Sequence, residues 1–398
     1  MNVLFAHDHK FSVDENGKVY SYLMDHNMWD RYLPFFDSIT IVARRINISS
    51  KNPKQMKGMK SAQADRVNFS LLGETINNDG SINKKPDQFQ KYKSIKNLVS
   101  KSDCVIARLP SIIGYMACRE AIKQHKKYAV EVVACAWDSN WYHGGKINKV
   151  MALPSLFAMK HYVKRADYAI YVTDHFLQHR YPCNGKTGIA SNVSIDAVEH
   201  EVIDKRIDHI TSLKYNDKII FGIVGPLHVN FKGHKTAIIA LSKAKNNIPP
   251  FELRCIGAGD PKRWQQLANN VGIGENIYFD GLLKSGKPVA DWMDNIDILL
   301  IPSLQEGLPR ALIEAMSRGI PCLGAITGGI PQLLNNKYLH KKNDYNKLCK
   351  DIINLVNDKN EMIKCANNNY TNAQRYIKPI LDKNRSHFWK QFSDNIKS

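Results

Sequence analysis

The chain has 398 residues, 43% apolar and 23% charged, so it is neither fibrous nor wholly disordered, and it is too long for one core of roughly 250–300 residues. No apolar run approaches the roughly 20 residues of a membrane span and the N-terminus lacks a signal peptide, so we expect a cytoplasmic protein. The net charge of +19 fits either a merely solvated basic surface or an anionic partner, namely a membrane surface, a phosphorylated substrate or a nucleic acid.

The N-terminal half alternates apolar strand patterns with amphipathic helical patterns. Runs rich in Val, Ile and Tyr with little alternation predict strands buried on both faces of a parallel sheet. The predicted strands are Asn2–Ala6, Ile39–Ala43, Val67–Leu72, Cys104–Leu109, Ala129–Ala134 and Tyr168–Val172. The predicted helices are Lys18–Phe36, Gln88–Val99, Ile112–His125 and Leu153–Lys164. This order is the βαβ rhythm of a doubly wound, Rossmann-like domain, which we place at residues 1–195.

The same rhythm restarts after a polar, charged stretch at residues 196–217, which is the predicted linker. The predicted strands are Lys218–Val224, Phe251–Ile256, Ile277–Phe279, Ile298–Ile301 and Pro321–Leu323, with helices at Gly233–Ala244, Lys262–Asn270 and Pro309–Ser317. We therefore expect a second Rossmann-like domain at residues 218–378. Residues 379–398 predict a C-terminal helix with an aromatic face, for which the N-terminal domain is a candidate packing surface.

The segment 302–331, PSLQEGLPRALIEAMSRGIPCLGAITGGIP, concentrates chemistry at the start of a predicted helix. A loop delivers Glu306 and Gly307, and the helix then begins with Pro309, whose missing N–H costs nothing there. The free N–H groups of the first turn form an anion site. The side chain of Glu314 tilts back toward that turn, so its carboxylate is expected to reach the same pocket as Glu306. These features outline a sugar-nucleotide pocket, although a solvated Glu314 and a helix-capping Glu306 fit the spacing equally well.

Glu306 and Glu314 form an E-x7-E pattern, and the run EGLPRALIEAMSRGIPCLGAITGGIPQLL resembles the donor-site signature of family 4 glycosyltransferases. The runs GIVGPLHVNFKGHKTAIIAL and IYFDGLL are similar to the same family, so the resemblance covers most of residues 218–335. It implies an α/β protein of the GT-B fold, with two Rossmann-like domains facing across a cleft. It also implies transfer of a sugar from a nucleotide sugar to a hydroxyl of a glycan or lipid-linked acceptor, with retention, in bacterial polysaccharide biosynthesis.

The resemblance further implies roles for individual residues of the donor site. Glu314 would hold the ribose hydroxyls, and Glu306 would hold hydroxyls of the transferred sugar. Lys232 would neutralise the diphosphate, and the backbone at Leu282 would face the base. Gly17 would let a loop of the N-terminal domain approach the diphosphate. The remaining donor-binding residues that the resemblance implies are Gly307, Leu308 and Pro309.

The sequence departs from the family pattern in two places. Pro226 stands where many members have an Arg, so diphosphate neutralisation relies more on Lys232. A His that faces the anomeric centre in many members cannot be aligned securely. The candidates for a catalytic group on the acceptor side are Asp138 and His7, with Asp8, His9 and His143 also open. Because the chain has no Asp-x-Asp, we expect no metal cofactor, and the helix N-terminus and Lys232 would supply the electrostatic stabilisation.

Two functions from other classes stay open at this point. A nucleotide-sugar 2-epimerase of the GT-B fold would use the same donor pocket without an acceptor. A non-catalytic carbohydrate- or membrane-binding protein would keep the fold but would not need both glutamates.

The basic charge of the first half is concentrated in residues 51–127, which hold 16 Lys and Arg against 6 Asp and Glu. We expect it to hold the protein peripherally at the anionic inner face of a membrane, above all through Lys51, Lys54, Lys57 and Lys60. No nucleic-acid partner is expected, because no zinc finger, K-homology loop or RNP aromatic pattern occurs.

Overall fold

The computed structural model describes residues 1–49, 56, 58–73, 75–76, 82–83, 88–142, 145–193, 195–197, 199–214 and 216–397. Within these ranges the chain forms two separate parallel-rich β-sheets, each packed against helices. Lys51, Lys54, Lys57 and His143, which the sequence singled out, lie outside the described residues.

The first sheet is built from the N-terminal half of the chain. Its strands and the adjoining two-stranded ribbon are β1 (Asn2–Val13), β2 (Val19–Ser21), β3 (Ser38–Asn47), β4 (Lys60–Ser61), β5 (Val67–Gly73), β6 (Thr75–Ile76), β7 (Ile82–Asn83), β8 (Cys104–Leu109), β9 (Tyr128–Val132), β10 (Tyr168–Tyr171) and β11 (Lys186–Ile189). Seven of them run parallel in the order β5–β3–β1–β8–β9–β10–β11. β2 pairs with the far end of β1 and β4 with β2, both as antiparallel strands, and β6 pairs with β7 in the ribbon.

Five helices accompany this sheet among the described residues: α1 (Gln88–Ser100), α2 (Ile112–Lys123), α3 (Ala136–Tyr142), α4 (Lys146–Arg165) and α5 (Phe176–Arg180). The strands β8, β9 and β10 are buried almost throughout, as expected for a parallel sheet covered on both faces. Chain order reverses between β1 and β8, so ligands are expected at the carboxyl ends of these strands.

The second sheet is wholly parallel, in the order β14–β13–β12–β15–β16–β17. Its strands are β12 (Ile219–Val224), β13 (Phe251–Ile256), β14 (Ile277–Gly281), β15 (Ile298–Ile301), β16 (Cys322–Ala325) and β17 (Leu339–His340). The helices that follow in this half are α6 (Glu201–Ser212), α7 (His234–Ala244), α8 (Lys262–Asn270), α9 (Lys287–Asp294), α10 (Arg310–Ser317), α11 (Tyr345–Val356), α12 (Lys359–Ala373) and α13 (Lys378–Lys397). Chain order reverses between β12 and β15, which places the second switch point there.

The stretch predicted as a linker contains helix α6, which is packed on the second sheet rather than extended. Ile203 and Ile210 are buried in the core of that half. The buried guanidinium of Arg206 donates to the carbonyl oxygens of Ile296, at 2.8 Å, and of Met293, where helix α9 ends. Burial lowers the pKa of Arg206, and these helix-end carbonyls supply the partial negative charge that it needs.

Helix α13 returns to the first sheet and packs its aromatic side chains there. The ring of Trp389 lies 5.2 Å from that of Tyr32, and Phe392 lies 5.3 Å from Tyr168. Gly188 in β11 faces Phe388 so closely that a Cβ would approach the ring to 2.7 Å. None of the helices in the described part of the chain is both long and apolar enough to cross a membrane.

The prediction of one helix over residues 18–36 is wrong. The segment forms β2 and a short 3-10 helix at His26–Arg31. Side-chain hydrogen bonds favour turns in this segment. Asp14 accepts from the backbone N–H groups of Asn16 and Lys18 and so closes the turn before β2. The hydroxyl of Ser21 accepts from the backbone N–H of Met24 in the turn after β2.

Candidate active site

The loops that follow β12 and β15 meet at the switch point of the second sheet. Gly233 begins helix α7 with a φ of +81°, and a Cβ there would lie 2.1 Å from the carbonyl oxygen of Pro302. The backbone N–H of Leu304 donates to Phe231 at 2.7 Å and ties the two loops together. Only glycine permits this approach, which fixes Lys232 and Glu306 side by side.

Lys232 and Glu306 form an ion pair, with Nζ 2.7 Å from Oε1. Their side chains are 21% and 10% exposed, so the pair is largely shielded from water. The stem of Lys232 lies directly over Gly225, where a Cβ would meet Cγ of Lys232 at 2.6 Å. The loop after β12 therefore directs the ammonium group to Glu306. A cation held in this way can neutralise a second anion that enters the site.

The loop that carries Glu306 also touches the other half of the molecule. A Cβ at Gly307 would lie 2.3 Å from the carbonyl oxygen of Val133, in the loop between β9 and α3. On its other side, the N–H of Gly329 donates to the carbonyl oxygen of Gly307 at 2.6 Å. Gly307 thus lies between backbones from both halves, and a larger residue would push the cleft open. Leu308 is buried beneath it, against Gly329.

Helix α10 begins immediately after this loop. Pro309 is its N-cap residue, with φ −70° and ψ 113°, so the helix starts at Arg310 and not at Pro309 as predicted. The N–H groups of its first turn are directed toward the loop of Glu306, and the positive end of the helix dipole favours an anion there.

Glu314 faces a different space from Glu306. It lines a cavity of about 540 Å³ together with Ser285 and Lys287 of the loop and helix after β14 and with Asp196 of the connecting segment. Glu306 is not among the lining residues, because its carboxylate is turned to Lys232. The expectation that both carboxylates enter one pocket is therefore not met.

Burial raises the pKa of the Glu314 carboxyl, and Arg310 acts weakly in the opposite direction. Leu282 follows the last residue of β14, is 61% exposed, and comes three residues before Ser285 of this cavity. The cavity has the carboxylate and backbone groups with which a nucleoside could form hydrogen bonds.

Asp138 approaches the cleft from the first half. It lies in the first turn of α3, is buried, and has Lys342 of the other half 3.8 Å away. The neighbouring Ser139 accepts a hydrogen bond from Gln305 at 3.0 Å, one residue before Glu306. Asp138 is thus brought to the same cleft as the Lys232–Glu306 pair.

His7 and Gly17 lie elsewhere than the sequence suggested. The first strand does not end at Ala6 but runs to Val13, so His7 lies at an irregularity inside β1, and Gly17 lies in the tight turn before β2 with a φ of +77°. The Nδ1 of His7 is 3.0 Å from the carbonyl oxygen of Arg108. Burial, followed by the Arg108 charge, lowers the pKa of His7 to about 3, so the ring is neutral and donates to this carbonyl.

Three residues of the cleft were missed by the sequence: Ser139, Gln305 and Lys342. Gln305 adjoins Glu306 and could have been suspected, but no local pattern marks Ser139 or Lys342, since their contacts join distant parts of the chain. Among the described residues, no group of three or more His, Cys, Asp or Glu side chains is placed to hold a metal ion.

Two Rossmann-like halves that meet at the Lys232–Glu306 pair agree with the GT-B fold that the sequence predicts. Residues 218–358 match the family described as Glycosyl transferases group 1. Protein CapJ of Staphylococcus aureus is 33% identical over 353 residues, which cover 88% of this chain and 85% of CapJ. The chain belongs to this glycosyltransferase family.

Two further comparisons agree with this assignment. The Escherichia coli enzyme named UDP-Gal:alpha-D-GlcNAc-diphosphoundecaprenol alpha-1,3-galactosyltransferase is 28% identical over 185 residues, 44% of this chain and 46% of that enzyme. The structure of Anabaena Alr3699/HepE in complex with UDP and glucose matches with a TM-score of 0.63 at 15% identity, over 100% of this chain and 99% of that one. The predicted GT-B fold, family and glycosyltransferase activity are thereby confirmed.

Proposed function

We propose that the enzyme transfers a sugar from a nucleotide sugar to a hydroxyl of a glycan or lipid-linked acceptor, in the biosynthesis of a bacterial surface polysaccharide. The observation that carries this proposal is the Lys232–Glu306 pair, held at the switch point beside the backbone of Gly307. Support comes from the E. coli relative, whose name gives a UDP-Gal donor and a diphosphoundecaprenol-linked acceptor, and from the HepE complex with UDP and glucose.

The donor diphosphate would lie between Lys232 and the first turn of α10. Its negative charge grows as the bond from the anomeric carbon to the diphosphate breaks and the electron pair leaves with the diphosphate. Lys232 and the free N–H groups of α10 stabilise this charge without rearranging, because the surrounding loops already hold them in place. Glu306, released from Lys232, accepts hydrogen bonds from hydroxyls of the sugar, and Glu314 accepts those of the ribose in the adjoining cavity.

The acceptor would enter from the first half of the molecule. Its oxygen forms the new bond to the anomeric carbon as the bond to the diphosphate breaks, its proton passes to the carboxylate of Asp138, and the reaction proceeds with retention. Asp138 is the group best placed to receive a hydrogen bond from this hydroxyl, because the next residue of helix α3, Ser139, contacts Gln305. His7, with a pKa of about 3, is a weak base and would orient the acceptor by hydrogen bonding.

No metal cofactor is part of this proposal, because Lys232 and the α10 N-terminus supply positive charge to the diphosphate. We also place the enzyme peripherally at the inner face of the membrane, where a lipid-linked acceptor would be found. Of the four lysines that the sequence suggested for this contact, Lys60 is described: it lies in β4, and Asp25 is 3.3 Å from its ammonium group.

The test is to incubate the full chain with a panel of nucleotide sugars, first alone and then with candidate acceptors. A glycosyltransferase releases nucleoside diphosphate slowly from one donor alone and faster with its acceptor. An epimerised nucleotide sugar would instead reveal a 2-epimerase, and binding without any product would reveal a non-catalytic protein. Either of these results would contradict the proposal.

A further inference from the structure

Helix α4 carries large apolar side chains on the side that faces away from the protein. Ala152 and Met159 are fully buried. Val150 precedes Ala152 by two residues, and Phe157 precedes Met159 by two. Because two residues correspond to about 200° around a helix, Val150 and Phe157 face away from the buried side. The exposed apolar side chains of α4 are Ile147 (79%), Val150 (74%), Met151 (48%), Leu153 (50%) and Phe157 (60%). A surface helix normally has polar residues in these positions, so this row marks an interaction surface.

The charges beside the row indicate what kind of partner covers it. Helix α4 has five Lys and Arg residues and no Asp or Glu. Lys149 lies over the ring of Trp141, at 5.6 Å from the centroid, and this Trp is 39% exposed at the end of α3. Apolar side chains flanked by Lys, Arg and Trp are typical of helices that lie in a membrane interface. A second copy of the chain would bring two rows of like charge together, which disfavours self-association.

A basic cavity adjoins the apolar row. Its volume is about 270 Å³, and it is lined by Lys160, Phe176, His179 and Arg180. Lys160 follows Phe157 by three residues and therefore projects from the same side of α4. Cationic groups around an aromatic ring match the chemistry of a phosphate ester attached to an apolar chain.

We propose that α4 is the surface by which the enzyme binds an anionic phospholipid leaflet. The row from Ile147 to Phe157 inserts at the boundary between headgroups and acyl chains, and the cavity at Lys160 and Arg180 receives a lipid phosphate. The proposal deepens the proposed function, on which it rests for the lipid-linked acceptor. Because α3 and α4 follow each other in the chain and Ser139 of α3 contacts Gln305, an acceptor anchored in the leaflet would enter the cleft from this side.

The test measures flotation of the full chain with phosphatidylcholine vesicles that contain or lack phosphatidylglycerol. We expect binding to the anionic vesicles at low salt and release near 1 M salt, where the Debye length falls to about 3 Å. The triple variant Ile147→Ser/Val150→Ser/Phe157→Ser should lower the partition coefficient roughly tenfold or more. Lys160→Glu/Arg180→Glu should remove the preference for anionic vesicles. The matched control is Ile122→Ser/Ile380→Ser, at apolar positions 37% and 41% exposed outside α4, and it should bind like the wild type.

Activity assays separate this inference from the proposed function. With an acceptor in vesicles, the triple variant should lose roughly tenfold in turnover, while its turnover on a soluble acceptor stays unchanged. Wild-type vesicle binding by the triple variant would overturn the inference. The inference would also be overturned if the only effect of the triple substitution were to convert a dimer to a monomer, as measured by sedimentation. An inactive protein that still binds vesicles through α4 would refute the proposed function alone, because vesicle binding requires no turnover.

Discussion

Replacing Lys232 by Met should show how much the donor site depends on its ion pair. Met retains the stem that packs over Gly225 but removes the ammonium group, so Glu306 loses its partner at 2.7 Å. Removing one member of a fully buried pair costs about 3–5 kcal/mol. The side chains of Lys232 and Glu306 are 21% and 10% exposed, so the pair is not fully buried and the cost is smaller. We expect Lys232→Met to lower the free energy of unfolding by about 2–3 kcal/mol.

The same change should lower turnover for a separate reason. Lys232 is proposed to stabilise the charge on the departing diphosphate, and loss of one such group typically lowers the rate by about 10²–10³-fold. The double variant Lys232→Met/Glu306→Gln distinguishes the two effects. With neither charge present, no unpaired carboxylate remains, so most of the stability should return while turnover stays low. Urea unfolding measures the first quantity and nucleoside diphosphate release measures the second.

Two results would refute this reasoning. If the stability losses of the two single variants simply add in the double variant, the charges are not coupled and the ion pair contributes nothing. If Lys232→Met retains the wild-type rate, its role at the diphosphate is wrong. The matched control is Lys235→Met, in the first turn of α7, where the side chain is exposed and the free energy of unfolding should change by less than about 0.5 kcal/mol.

Four further outcomes are expected. Gly225→Ala should lower turnover roughly tenfold, because a Cβ 2.6 Å from Cγ of Lys232 displaces the ammonium group; an unchanged rate in the diphosphate-release assay would contradict this placement. Glu314→Gln should raise the urea midpoint at pH 7, because burial raises the pKa of this carboxyl and its ionisation therefore opposes folding. This gain in stability should disappear below pH 4.5, where Glu314 is protonated in the unfolded chain as well as in the folded one. A gain that persists below that pH would exclude ionisation as its cause. The same variant should bind a nucleoside diphosphate more weakly by about 1.5–3 kcal/mol in calorimetry. Turnover should persist in excess EDTA, since Lys232 supplies the charge that a metal would otherwise provide; loss on chelation and recovery with Mn²⁺ or Mg²⁺ would contradict this.

The strands were predictable because a strand buried on both faces must be apolar at nearly every position. Cys104–Leu109 and Ile298–Ile301 match their predicted bounds for this reason. The segment at residues 18–36 was not predictable in this way. Trp29, Tyr32 and Phe36 recur at helical spacing, but their burial comes from tertiary packing around the first sheet, while the local turn chemistry excludes a long helix.

The candidate site was only partly predictable. The resemblance marked Lys232 and Glu306 as residues of one donor site, but it gave no reason to expect a direct ion pair between them. That pair depends on Gly225 and Gly233, whose missing side chains bring together loops that are separate in sequence. Glu314 was expected to reach the pocket of Glu306 because its side chain tilts back toward the start of helix α10, yet Glu314 lines a separate cavity while Glu306 is turned to Lys232.

The position of the exposed apolar row could not be obtained from the sequence for a related reason. Helix α4 has apolar residues on all sides, so its periodicity does not reveal which side packs on the protein. The structure resolves this, because Ala152, Met159 and Val163 are buried while Ile147 and Phe157 remain largely exposed. A charge count favoured residues 51–127 as the membrane contact, since charge is visible without a fold. Insertion into a leaflet, however, needs apolar and basic side chains on one continuous surface, and α4 with its adjoining cavity meets both conditions.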